Sequence, residues 1–273
     1  MRNLLVPTDF SNVADNALNY AAEMANAYNL DIALLHVTQL SALTEVDALY
    51  ADSFDKMNQD AEIKMNELIA NLQSKYPNLK FIHKVETGLF MDSLDNYCKE
   101  INPVAVVMGI TGSGSVLDKI IGSNAFTAMT NINYPLIVVP RKTVFKTIQS
   151  VCFACDLQKV ATSTPLLSFK AFTKLFDAEV HILNIDFHNR NYRPNTQSEI
   201  NQLDSLFENI NHSFHFIENE NVEDAIDDYV EKENMDMLIM IPRKYSFFES
   251  LFHKSKTKEM LFHSHVPILA LHG

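Results

Sequence analysis

The tail of this chain repeats its middle. Residues 104–135 can be laid over 236–267 without a gap, and in both copies a proline, Pro135 or Pro267, stands ahead of a final apolar strand, Leu136–Val139 or Ile268–Leu271. The beginnings match as well: Ile148 to Cys155 leads into Asp156 as Leu4 to Thr8 leads into Asp9. An internal duplication of this kind sets the architecture before any single element is assigned.

Inside each copy, apolar runs alternate with helical spacing. Asn3 to Val6 is a short strand ending in Pro7-Thr8-Asp9, and Ser11 caps a segment whose apolar residues Val13, Ala17, Leu18, Ala21, Ala22, Met24 and Ala25 recur at helical intervals. Asp31 to Val37 is a buried-type strand. From about Ala48 to Tyr76 the composition is helical, and Pro77 stops it. Leu79 to Val85 is a third strand, Gly88 a turn, Met91 to Ile101 a helix, and Val104 to Gly109 a fourth strand before the loop, helix and fifth strand.

After a polar connection, Arg141 to Thr147, the order restarts. A strand runs from Ile148 to Cys155 and a helix from about Thr164 to Phe176. Then come a strand at Glu179–Ile185, a helix at Asn195–Ile210, a strand at Ser213–Ile217 and a helix at Val222–Lys232. Strands that read as continuous apolar runs and alternate with helices predict a parallel sheet covered on both faces. The expected architecture is α/β: two tandem Rossmann-like domains, residues 1–142 and 147–273, each a five-stranded parallel sheet flanked by helices. Ligands of such sheets sit beyond the carboxyl ends of the strands, where Asp9, Val37 and Gly109 would converge.

Composition narrows the function classes. With 47% apolar residues among 273 there is material for two cores, and no apolar run approaches the roughly 20 residues that span a bilayer. The start MRNLLVPTDF meets Pro and Asp too early for a signal peptide, so a soluble cytoplasmic protein without a membrane partner is expected. A formal charge of -12 repels nucleic acid, and any phosphate must be held by local backbone geometry. Three cysteines, Cys98, Cys152 and Cys155, make no disulfide framework. Cys152 and Cys155 have redox spacing, but within a strand residues three apart point to opposite faces, and both read as buried.

The loop in the first copy carries the chemistry. Met108 and Gly109 end an apolar strand, Gly112 follows after two residues, and Gly122-Ser123 after nine more, just ahead of a helix. Glycines admit a ligand against bare backbone, and the N–H groups of a helix start attract phosphate. This is neither the ATPase loop with its lysine nor the dinucleotide turn.

The order G-x-x-G, nine residues, then G-[ST] resembles the ATP-binding signature of the universal stress protein family. PTDFS after the first strand, LLHV in the second and Gly88 ahead of the third helix fit it too, so the resemblance covers the chain as a tandem member. It implies an adenine nucleotide alpha hydrolase-like fold. Asp9 and the backbone of Val37 would face base and ribose, and Gly109, Gly112, Gly122 and Ser123 would hold the phosphates of ATP, with or without Mg2+, Asn124 adding another N–H; Pro7, Thr8 and Met108 are counted with them as nucleotide-binding. Read from the residues alone, Asp9 is equally an Asx turn or helix cap, a reading that also accounts for Asp156. His36 reads as packed or hydrogen-bonded, not catalytic.

In the second copy Ile241, Lys244 and Lys254 stand where Gly109, Gly112 and Gly122 do, and only Ser255 survives. Bulk there fills the phosphate space, which predicts one ATP, in the first copy. Arg243, Lys244, Lys254, Lys256 and Lys258 read as a solvated charged face. Eight of the ten histidines lie in the second half, including His253, His263 and His265, without convincing zinc spacing. No catalytic residue and no metal site is assigned, and a nucleotide held by backbone alone should be hydrolysed slowly or not at all. The expected role is a regulatory, stress-survival module. The rivals are a slow ATPase or phosphotransferase on the same fold and a nucleotide-free interaction scaffold. The two final strands should pair within the chain as a pseudo-dimer; assembly into a homodimer stays open.

Overall fold

The computed structural model describes residues 2–39, 51–110, 123–186, 194–242 and 265–272. By contact it divides into two compact units, 1–109 and 110–273. The first holds β1 (Asn3–Pro7), α1 (Asn12–Tyr28), β2 (Asp31–Gln39), α2 (Ala51–Lys75), β3 (Phe81–Gly88), α3 (Phe90–Ile101) and nearly all of β4 (Ala105–Ile110). β2 lies between β1 and β3, and β4 pairs with the other side of β1, all parallel. Asn3 pairs with Asp31 and Pro7 with Leu35, so β1 ends while β2 continues to Gln39.

The second unit holds α4 (Ser123–Asn131), β5 (Leu136–Pro140), β6 (Ser150–Ala154), α5 (Val160–Ser163), α6 (Leu166–Phe176), β7 (Glu179–Asp186), α7 (Thr196–Leu206), β8 (His212–Glu218), α8 (Val222–Lys232), β9 (Met237–Met240) and β10 (Ile268–Ala270). Its strands run β8-β7-β6-β9-β10-β5. All these pairs are parallel except the last, in which Ile268 faces Val138 and Ala270 faces Leu136 in antiparallel register. The two apolar final strands do pair, and β5 and α4 therefore group with the second unit. Just past β10, His272 faces two carbonyls, Tyr134 O from Nδ1 at 3.1 Å and Met129 O from Nε2 at 2.6 Å.

Local chemistry explains the elements. The Ser11 hydroxyl accepts the Ala14 N–H at the start of α1, and Asn29 closes it in the left-handed region with its N–H on Ala25 O. Asn102 and Asp177 end α3 and α6 in the same manner. α1 turns Ala14, Ala17, Ala21, Ala22 and Ala25 to the sheet, and their small side chains let helix and strands approach closely. The cores are apolar: Leu4, Leu5, Ile32, Leu34 and Leu35 in one unit, Phe153, Phe169 and Phe207 in the other. Phe169 and Phe207 stack at 4.6 Å with Phe153 edge-on at 4.9 Å from Phe169.

Two elements differ from the pattern read in sequence. β3 runs through to Gly88, which pairs with Gln39 instead of forming a free turn. In the second repeat the first helix is broken: α5 is only four residues long, and Pro165, which cannot donate an N–H, precedes α6.

Candidate functional site

The turn after β1 is closed by its own side chains. The Asp9 carboxylate (Oδ1) accepts the Ser11 N–H at 3.0 Å, an Asx turn, and the Thr8 hydroxyl oxygen accepts the Phe10 N–H at 3.0 Å. Phe10 sits at φ 61, where a bulky residue is strained, and its ring rests on the His36 imidazole at 4.6 Å with the Lys64 ammonium 5.8 Å above it. Burial, and then the neighbouring Asp9 carboxylate, hold Asp15 above its ordinary value.

The end of the β1–β2 ladder is the informative part. In a parallel pair every second residue of one strand turns both its N–H and its C=O to the neighbour. The bonds Asp31 N–H to Arg2 O and Thr8 N–H to Leu35 O show that the odd residues of β2 face β1, while Ile32 N–H to Lys80 O shows that the even ones face β3. Val37 is next in the odd series. Its ladder partners would be the Thr8 carbonyl and the Phe10 N–H, and both are taken by side chains. His36 Nδ1 donates to Thr8 O at 2.8 Å, since a carbonyl only accepts, and the Phe10 N–H is held by Thr8 Oγ1. Among the described residues no hydrogen bond reaches the N–H or C=O of Val37. Among those residues, then, the donor and acceptor of half-buried Val37 lie side by side without a partner beyond the end of β1. An unmet backbone pair is costly to bury without a partner, which is an observation in favour of a ligand edge.

Around this edge the helix α2 is pinned to the carboxyl ends of β2 and β3. Buried Thr38 donates to Asn58 Oδ1 at 2.8 Å, and Asn58 Nδ2 donates to Thr87 Oγ1 at 2.9 Å.

At the end of β4 stands Gly109, beside buried Met108. Neither described glycine has positive φ. The requirement at Gly109 is space: a Cβ there would lie 2.5 Å from the Val13 carbonyl oxygen and 2.8 Å from Val13 Cγ1. This residue lets the first turn of α1 close onto β4. Ser123 opens α4, followed by exposed Asn124. Gly112 and Gly122 lie outside the described residues, as do Arg243, Lys244, Lys254, Ser255, Lys256 and Lys258.

Of the residues predicted, Pro7, Thr8, Asp9 and Val37 are brought together at one end of β1 and β2, and Met108 and Gly109 at the same end of β4. Sequence reading passed over Phe10, Lys64 and Asn58. A polar His-Val-Thr ending on an otherwise apolar strand was the available signal.

The second repeat copies the turn. Cys155 N–H bonds to Leu183 O at 2.9 Å, Gln158 N–H to Asp156 Oδ1 at 3.1 Å, Leu157 N–H to Cys155 Sγ at 3.4 Å, and Leu157 is at φ 51. Asn184 Nδ2 donates to Cys155 O at 2.9 Å, as His36 does to Thr8 O. Beyond the turn the repeats diverge: buried Glu199 of α7 accepts the Val160 N–H at 2.9 Å, and buried Ile241 occupies the position of Gly109. Cys98, Cys152 and Cys155 are buried, and burial pushes the Cys98 thiol up to about 12 and Cys152 up as well, against thiolate chemistry. His253 and His263 lie outside the described residues, among which no group of three His, Cys, Asp or Glu could hold a metal. No described helix is long and apolar enough to cross a membrane.

Comparison with known proteins gives one consistent result. Universal stress protein Slr1230 of Synechocystis sp. is 24% identical over 297 residues, covering 98% of this chain and 99% of its own. The crystal structure of a universal stress protein from Archaeoglobus fulgidus matches with a TM-score of 0.73 at 19% identity, over 99% of this chain and 96% of that one. A putative universal stress protein from Pseudomonas aeruginosa matches with a TM-score of 0.58 at 10% identity, over 100% and 93%. These structures share the fold, and the family model matches residues 1–140. With the repeated strand order, the Asx turn after β1 and the glycine at the end of β4, this places the chain in the universal stress protein family.

Proposed function

We propose that the first repeat binds one ATP and that the protein is a nucleotide-responsive module of the stress response. The observation that carries this reading is the open N–H and C=O pair of Val37 at the end of the β1–β2 ladder. Adenine offers N1 as an acceptor beside an N6 amino donor, which complements such a pair, whereas guanine presents N1–H and O6 in the opposite sense. A site built to exchange two hydrogen bonds rejects a ligand that reverses them, because both backbone groups are then buried unpaired.

The phosphates would be held by backbone N–H groups, for which Gly109, Gly112, Gly122, Ser123 and Asn124 are the candidates. Mg2+ would accompany the phosphates. We place the function in holding the nucleotide, with the second repeat contributing no phosphate site.

Calorimetric titration tests this. The expected result is a stoichiometry near one, a preference for ATP over GTP of about tenfold or more, and loss of binding in Gly122→Lys. Two equivalent sites, or binding that survives that substitution, would overturn it.

A further inference from the structure

We propose that His36 is a positioning residue that keeps the backbone of Val37 open for the base, by supplying a side-chain N–H to the Thr8 carbonyl; this rests on the nucleotide reading above. The Thr8 carbonyl is the natural acceptor for the Val37 N–H, because Pro7 pairs with Leu35 and the next ladder bond would run from Val37 to Thr8. His36 is directed to β3 by its backbone, yet its side chain reaches back across to β1 and takes that acceptor at 2.8 Å. The ladder is thereby ended one bond early. Thr8 completes the device from the other side, since its hydroxyl holds the Phe10 N–H that would otherwise return to the Val37 carbonyl.

The second repeat shows that the requirement is for an N–H donor and not for an imidazole. There the corresponding residue is Asn184, and its amide nitrogen donates to the Cys155 carbonyl at 2.9 Å, while Cys155 Sγ takes the Leu157 N–H. Histidine and asparagine share little beyond a planar side chain with an N–H at this reach. Two different residues performing one bond at equivalent places in the two repeats point to the bond itself as the conserved physical feature of the molecule.

Three forms of the full chain test the assignment: wild type, His36→Leu and His36→Asn. Both variants remove the ring that packs on Phe10, so any difference between them reports the N–H donor alone. The first measurement is amide hydrogen exchange at Val37 without ligand. His36→Leu should slow it about tenfold or more, as the freed Thr8 carbonyl recaptures the Val37 N–H, while His36→Asn should exchange as wild type does. The second is titration with ATP and GTP. His36→Leu should bind ATP about tenfold more weakly and lose its preference over GTP, and His36→Asn should restore both to within about threefold. Unchanged Val37 exchange in His36→Leu, or equal ATP affinity in all three proteins, would overturn the role of His36 and leave the nucleotide reading standing. A wild-type chain that takes up no ATP would instead overturn the nucleotide reading itself.

Discussion

The two repeats build the same turn and then part company one strand later. After β1 and after β6 an aspartate closes an Asx turn, the next residue sits at positive φ, and a side-chain N–H caps the ladder. At the ends of β4 and β9 the repeats differ in a single volume. Gly109 leaves room for the first turn of a 17-residue α1, whereas Ile241, only 3% exposed, fills that position beside a four-residue α5. At the start of α5 the Val160 N–H is held by the Glu199 carboxylate, where α1 starts on the Ser11 hydroxyl, which accepts the Ala14 N–H. The turn after the first strand and the end of the fourth are thus separable parts of the repeat: the first is kept in both copies, and the second differs.

On this comparison, neither residue tolerates exchange with its counterpart. Ile241→Gly empties a buried site and should cost about 4 kcal/mol by urea denaturation. Gly109→Ile drives a side chain into the Val13 carbonyl and should cost roughly 3 kcal/mol, with loss of ATP uptake. A fully stable Gly109→Ile protein would break the comparison, since it would show that α1 can give way to a side chain at the end of β4. Glu199→Ala strips the Val160 N–H of its buried partner and should cost about 2 kcal/mol; Glu199→Gln, which keeps an acceptor, should cost clearly less. Equal losses would mean that Glu199 acts by packing alone.

The smallest effect is a pH dependence confined to the second repeat. His215 stacks on His181 at 4.6 Å and contacts Ser213, with Tyr229, Glu179 and Glu233 around the pair. Burial, and then the charge of His181, hold its pKa below the ordinary value. The folded chain therefore resists the proton that the unfolded chain accepts near about pH 6.5. The stability involved is complete above that pH and declines below it. His215→Gln should flatten the fall in melting temperature between about pH 7 and pH 5, and an unaltered slope would assign the effect to other groups.

Much of this fold could be read before the structure. Apolar runs located the strands of both repeats, and Pro77 set the end of α2 to within two residues. The break between α5 and α6 carried its mark in Pro165, which precedes α6, whereas the start of α5 was not readable, because the carboxylate that accepts the Val160 N–H lies 39 residues away in sequence. The site divided in the same way. Asp9 announced its turn through local chemistry, and the structure gives it that bond. At Gly109 the motif announced a glycine, while the group that excludes its Cβ, the Val13 carbonyl on α1, is far removed in sequence. The open edge at Val37 left no mark at all, since it is a property of register and of two side chains that intercept the ladder.

The antiparallel pair of β5 and β10 has a consequence in time. Val138 and Ile268 face each other across about 130 residues of chain. At a synthesis rate of roughly 5–20 residues per second, β5 therefore waits on the order of ten seconds for its partner to leave the ribosome. Through that interval a wholly apolar strand offers an unpaired edge, the kind of surface that recruits strangers. Contacts so distant in sequence also close slowly once both ends exist. The vulnerable moment of this protein is thus its birth, and a nascent chain halted before Pro267 should be the form that chaperones hold longest.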